Sequence, residues 1–197
     1  MLYGLRRYIR QIIFEGMKTA DMLPDGIVIV IDDDPDYEQI QIYYASDIDG
    51  DYTALSPMDG IYGSVTFEKT EDYGQCLDSM RVNHSAATPG WGPLLYDIAI
   101  EYASMKHSGL MPDRFDVSMD ANYVWNFYNR RRGDVTKKQM DDPYDRLTPE
   151  PEDNCNQDVA ERDENAYDWQ ESALSKSYSK SPVLINKLKK SGKLVTL

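Results

Sequence analysis

The stretch Pro89-Gly90-Trp91-Gly92-Pro93, followed without a break by "LLYDIAIEYAS" (94–104), constrains this chain more than any other part of it. Two glycines around one tryptophan permit a tight backbone turn that side chains would block. A proline suits the first turn of a helix, where its missing N–H costs nothing. Beyond it Leu94, Leu95, Ile98, Ala99, Tyr102 and Ala103 recur at helical spacing, with Asp97, Glu101 and Ser104 off that face. The spacing predicts an amphipathic helix over 93–107. Free N–H groups at the start of a helix entered through a glycine turn form a cradle suited to an anion.

What flanks the turn is legible by the same rules. Upstream, "GIVIVID" (26–32) is a β-branched run and "EQIQIYYAS" (38–46) alternates, so the two read as strands around the acidic turn "DDDPDY". "GIYGSVTFEK" (60–69) and "QCLDSMRV" (75–82) read as two more. Downstream come a short strand near Gly109–Met111 and a second helix, "MDANYVWNFYNRRR", with Ser118 as its N-cap and arginines suited to its C-terminal dipole. In residues 1–22, Leu2, Leu5, Tyr8, Ile9, Ile12 and Ile13 share one helical face and Arg6, Arg7 and Arg10 lie off it, which predicts an N-terminal amphipathic helix. After a core domain at 23–133, residues 134–197 are polar, proline-bearing and aperiodic until "SPVLINKLKK", which reads as a short apolar helix. They read as an extended segment with a basic tail that wraps the core. The expected class is α+β, a mixed and mainly antiparallel central sheet of about five to seven strands flanked by helices.

Charge is segregated. The net charge of −13 is the sum of a body, residues 23–171, with 11 basic against 32 acidic side chains, and two positive ends. Residues 1–22 carry four basic and two acidic groups, and 172–197 carry six lysines and no acid. Such a body repels a phosphate backbone, so the core is not expected to bind nucleic acid. The lysines around Val183, Leu184, Ile185 and Leu188 suit an acidic surface with the apolar side down. That surface is either the chain's own body or a protein partner or assembly held through the basic termini.

No run of about 18 apolar residues is present, and the first stretch has arginines inside its apolar pattern, so neither a spanning segment nor a secretory leader is expected. Cys76 and Cys155 lie far apart without metal-ligand spacing; a disulfide or metal site is therefore not expected, and a reducing cytosol is the default. "DIDGD" places its glycine too early for a calcium loop, and Met58 stands where the bidentate Glu belongs.

Over roughly residues 26–130 the order strands, glycine turn, helix, short strand, helix, with "CLDSMRVNHSAATPGWGPLLYDIAIEYAS" at its centre, resembles the GCN5-related N-acetyltransferase (GNAT) family. The resemblance implies an N-acyltransferase that uses acetyl-CoA. The backbone amides at Gly90, Trp91 and Gly92 would meet the coenzyme A pyrophosphate. The strand before them, through Val82, would splay from its neighbour and offer backbone groups to the pantetheine arm. A catalytic base would come from that strand, where Asp78 or His84 is available, and a general acid from the second helix, where Tyr123 and Tyr128 lie. Two positions depart from the family pattern: Ala87 stands in place of a Gln or Arg, and Trp125 stands where the tyrosine is counted from Ala121. Aromatic packing accounts for Tyr123, Trp125 and Tyr128 equally well. "LRRYIRQIIFEG", "GLMPDR" and "ANYVWNFYNRRRGDV" resemble GNAT-like proteins carried by tailed bacteriophages, which implies a host-cytoplasmic or virion setting. The alternative is a non-catalytic GNAT scaffold serving as a virion-associated or host-interaction module.

Overall fold

The computed structural model describes residues 17–34, 39–69, 76–113, 117–140, 155 and 172–197. Of the N-terminal helix expected over 1–22, residues 1–16 lie outside the described residues; residues 17–19 are not helical and Ala20–Met22 form a 3-10 turn. Among the described residues nine strands form one sheet: β1 (Ile27–Asp32), β2 (Gln39–Ile48), β3 (Asp51–Ala54), β4 (Gly63–Glu68), β5 (Met80–Ala87), β6 (Leu110–Met111), β7 (Thr136–Gln139), β8 (Lys176–Ser179) and β9 (Leu194–Thr196). The spatial order is β7-β8-β6-β5-β4-β2-β1-β9, with β3 paired to β2. Pairing is antiparallel except for β5–β6 and β1–β9. Three α-helices are described: α1 (Gly92–Lys106), α2 (Met119–Arg131) and α3 (Val183–Lys190). The class is α+β, and no described helix is long and apolar enough to cross a membrane.

Local sequence explains the elements. In β1, Val28 to Ile31 are all buried, so "IVIVI" is a run because both faces of that strand are covered. In β2, Gln39 and Gln41 are exposed while Ile40 and Ile42 are buried, hence the alternation. Asp49 (φ +54) and Gly50 (φ +87) make the β2–β3 hairpin, because paired left-handed residues match the twist of the flanking strands. The Ser118 hydroxyl accepts from the Ala121 N–H, capping α2 as expected. Ile29, Ile31, Ile42, Tyr44, Val65, Phe67 and Val82 form one sheet face under the helices, where they meet Leu95, Ile98, Trp125, Ile185 and Leu188 in the main core. Gly63 is dictated by this packing: a Cβ there would fall 2.9 Å from both the Ala87 Cβ and the Leu95 Cδ1.

Three expectations are corrected. "QCLDSMRV" is not a strand from residue 75; Cys76–Asp78 is a 3-10 turn with φ of +45, +56 and +59, and β5 begins at Met80. The alternation of apolar and polar residues there mimics a strand because it carries no information on the sign of φ. Cys76 and Cys155 are joined in a disulfide with Cα atoms 4.3 Å apart across a separation of 79 residues. A reducing cytosol disfavours such a bond. Finally, residues 172–197 are not a tail. They contribute β8, α3 and β9 and bury Ala173, Leu174, Tyr178, Ile185, Leu188 and Leu194, which widens the sheet beyond seven strands.

One carboxylate holds this C-terminal unit. Glu101 of α1 is fully buried, and its oxygens accept from the backbone N–H groups of Leu184 (3.0 Å) and Ile185 (2.8 Å) at the start of α3. The Lys180 ammonium lies 3.2 Å away. Pro182 gives α3 no side-chain cap of its own, so Glu101 supplies from another helix what a local Ser or Asp normally supplies. Replacing Glu101 by Ala leaves two amides without their acceptor and takes one of the carboxylates from the Lys180 ammonium, which keeps Asp97 and Asp134, and we expect Glu101→Ala to lower the unfolding free energy by about 3 kcal/mol. Urea denaturation would check this; a loss under about 1 kcal/mol would show that α3 docks without it.

Candidate functional site

The site is a fork in the sheet. β5 and β6 pair in parallel only at Met80–Leu110 and Arg81–Met111, after which β6 ends and β5 continues through Val82 to Ala87. Its other edge stays on β4, with a register shift between Thr66 and Phe67 that leaves Asn83 between the pairs Thr66–His84 and Phe67–Val82. From Val82 onward the edge of β5 toward β6 has no strand partner among the described residues. Its backbone donors and acceptors can therefore pair with an extended ligand.

The free part of β5 runs straight into the glycine turn. Thr88 clamps the entry: its N–H and hydroxyl both donate to the Tyr62 carbonyl at 2.9 Å, and its oxygen accepts from the Tyr62 N–H at 2.8 Å. Gly90 sits at φ +88, a conformation that side chains rarely adopt. Trp91 does not line the fork. Its buried indole stands edge-on to Tyr44 of β2 at 5.5 Å, and the Tyr44 hydroxyl donates to the Trp91 carbonyl at 2.8 Å, so this residue anchors the turn to the far side of β4. The N–H groups of Gly90 and Gly92 have no hydrogen-bond partner among the described residues, and α1 has no side-chain cap. Packing does not require glycine at 92, since a Cβ there would meet only the Ala87 Cβ at an ordinary 3.5 Å. Smallness at that position is left for something outside the fold.

A basic residue does approach the turn from a distant part of the chain. The Lys18 N–H donates to the Gly90 carbonyl at 2.9 Å, and Lys18 is exposed. Sequence reasoning missed it because no local pattern links residue 18 to residue 90.

The expected catalytic side chains do not gather at the fork. Asp78 lies in the turn that opens β5, with Lys69 Nζ at 2.7 Å and His107 Nδ1 at 3.3 Å from its carboxylate. Burial pushes its pKa up, but the hydrogen bonds and charges of Lys69 and His107 outweigh this and hold it below the ordinary value. It is a weakened base. His84 is exposed on β5 opposite Thr66. Tyr123 is 59% exposed on α2, whereas Tyr128 is fully buried, with its hydroxyl 3.1 Å from Asp97 Oδ1 and 3.3 Å from the Pro93 carbonyl. Trp125 is buried against Tyr96 and Tyr178, with ring centres 5.4 and 5.0 Å away. β5 also carries Ser85, whose hydroxyl lies 2.9 Å from that of Tyr96, a pair that sequence reasoning did not single out. Among the described residues no His, Cys, Asp and Glu cluster could hold a metal.

Beside α1 the charges form a structural network. Arg132 meets Asp97 at 2.9 Å and Asp134 at 2.7 Å, and its guanidinium lies 5.3 Å from the Tyr128 ring centre. Lys180 bridges Asp97 and Glu101, each at 3.2 Å. The Arg132 contact holds the Asp134 carboxyl far below the ordinary range. Burial first, then the Asp97 charge, drives the Tyr128 phenol well above its ordinary value. Tyr44, Tyr96 and Tyr178 are raised by burial as well.

Together with Tyr43 and Tyr102, which burial also raises, these phenols set a pH dependence. Their native pKa values lie above the unfolded value of about 10, so above that pH the native state holds more protons and stability falls as pH rises. Each group adds a slope of up to about 1.4 kcal/mol per pH unit. Urea titrations at pH 8 to 11.5 should show these phenols contributing nothing below about pH 9 and a steep loss above pH 10. Tyr128→Phe should shallow that slope, and an unchanged slope would mean that Tyr128 ionises in the native protein.

No protein-family model, curated protein or solved structure matches this chain.

Proposed function

We propose that this chain is a GNAT-type protein that binds an acyl-coenzyme A along the free edge of β5 and at the Gly90–Gly92 turn, and passes the acyl group to an amine. The observation that carries the reading is the parting of β5 from its parallel neighbour β6 directly ahead of an uncapped helix start. The free backbone edge from Val82 suits the amide groups of a pantetheine arm, and the Gly90 and Gly92 N–H groups suit pyrophosphate oxygens. Lys18, beside Gly90, supplies the positive charge that Ala87 cannot. In direct transfer the amine nitrogen attacks the thioester carbonyl, the C–S bond breaks, and coenzyme A leaves as a thiolate that takes a proton from water. Asp78 is committed to Lys69 and His107. His84, exposed on β5, is then the group that accepts the amine's proton. Tyr128, buried on Asp97, holds its own proton and takes no part.

A second reading is favoured by one finding: Asp78, Tyr123 and Tyr128 do not converge. In that reading the scaffold binds without catalysing and serves as an interaction module for a virion or host protein.

Thermal unfolding with coenzyme A and acetyl-CoA separates the two. Either ligand at 100 times its Kd should stabilise the protein by about 2.7 kcal/mol. Gly92→Asp should abolish the effect while leaving the ligand-free Tm within a few degrees, because a side chain at 92 meets no tight contact. Thiol release from acetyl-CoA with a panel of amines supports transfer, and stabilisation without thiol release supports the binding module. No stabilisation at millimolar ligand would refute coenzyme A binding at the fork and leave only a module that meets a protein partner.

A further inference from the structure

We infer that the Cys76–Cys155 disulfide is a redox latch for the vertex of the β5–β6 fork; as a means of regulating the site it rests on the reading of that fork as a coenzyme A cleft, but the latch itself does not. Three consecutive non-glycine residues, Cys76, Leu77 and Asp78, hold φ of +45, +56 and +59. Each such conformation carries a cost of order 1 kcal/mol or more, so a run of three persists only where the surroundings fix it. The surroundings are visible. Cys76 is bonded to Cys155, and both are buried in a small cluster with Met111 and Met140. The Asp78 carboxylate is held by Lys69 and His107.

The turn governs the fork because β5 follows it directly and the residues that lead into β6 hydrogen-bond to it. The Cys76 carbonyl accepts from the Ser79 N–H at 2.9 Å, and the Asp78 carbonyl accepts from the Ser108 N–H at 3.2 Å. The Met80 N–H then donates to the Gly109 carbonyl at 2.9 Å, which starts the short parallel pairing. Met111, the last residue of β6, packs in the cluster beneath the disulfide. The bond therefore touches β5 through Cys76 and β6 through Met111. With the bond formed, the left-handed turn is fixed and the two strands leave the vertex at a set spacing. With two thiols, the turn relaxes toward right-handed or extended backbone, and the Ser108 and Met80 hydrogen bonds weaken together.

Closing the latch is a two-electron oxidation. A Cys155 or Cys76 thiolate attacks one sulfur of a disulfide donor, and the remaining cysteine displaces the donor's second thiol. Two electrons and two protons end on the donor, which leaves as a dithiol. Since Cys76 and Cys155 are 1% and 0% exposed, the folded bond is shielded from thiols, and the latch records the redox conditions under which the chain folded.

Hydrogen exchange read by NMR, with and without a phosphine reductant in mild urea that admits it to the bond, tests this. Reduction should accelerate exchange at Met80 and Ser108 at least tenfold while Ile29 and Val30 in β1 change less than twofold. Cys155→Ala should reproduce the reduced pattern, and adding Leu77→Gly, which relieves one left-handed residue, should recover part of the protection. Unchanged Met80 and Ser108 rates would overturn the latch. Equal acceleration in β1 would overturn it too, because the bond would then only support global stability. If the latch holds, the coenzyme A Kd should rise several-fold on reduction. A latch seen by exchange with no coenzyme A binding in either state would reject the cleft and leave the latch standing.

Discussion

A carboxylate shielded from water, that of Glu101, is the joint on which the rest of the structure depends. A buried charge is costly unless every partner is in place, and its partners come from a distant segment of the chain: the Leu184 and Ile185 amides and the Lys180 ammonium. The first turn of helix α3 leaves amides that need an acceptor, and the Glu101 carboxylate, fully buried, needs donors. Each end therefore makes the other tolerable. The same logic extends outward through Lys180 to Asp97 and through Asp97 to Arg132 and Tyr128, so α1, α2 and the C-terminal unit share one set of polar contacts.

This joint changes the meaning of the chain's lopsided charge. Six lysines over the last 26 residues facing a body rich in Asp and Glu read from sequence as an adhesive tail. In the fold its apolar side, Ile185 and Leu188, is spent on the core. Lys180 is internal to the polar network, and Lys193 donates to the Pro24 carbonyl at 2.6 Å. The exposed Lys187–Asp21 pair at 2.6 Å adds little to stability, since solvent screens it. Facing outward are the charges of Lys189 and Lys190 and the apolar side chains of Val183 and Leu197.

Legibility followed the range of the cause. Elements whose reasons are local, such as the α1 start at Gly92-Pro93, the Ser118 cap and the contrast between β1 and β2, were readable to within a residue or two. The turn at Cys76–Asp78 was misread because its backbone is imposed by groups elsewhere, among them Cys155. β7, β8 and β9 were missed because "TKKQ", "KSYS" and "LVT" are too short and too polar to announce strands; they become strands because edges of β8, β6 and β1 stand waiting. At the site, Val82, Gly90 and Gly92 follow one another from β5 into the start of α1, while the Trp91 amide is spent on the Thr88 carbonyl within the turn. Asp78, Tyr123 and Tyr128 did not converge, and neither Lys18 nor the Ser85–Tyr96 pair was anticipated. Side-chain convergence is a property of tertiary packing and leaves no trace in spacing.

The parallel pairing of Ile29 with Leu194 bears on how such a chain is made. β1 is among the first strands to leave the ribosome and is apolar on both faces, yet the neighbour that covers its outer edge is synthesised only after nearly all of the other described residues. Until then the growing polypeptide carries a sticky, unpaired strand, and closure must bridge a very long loop. Slow translation near the middle of the message would prolong that exposure and invite aggregation or capture by a holdase chaperone.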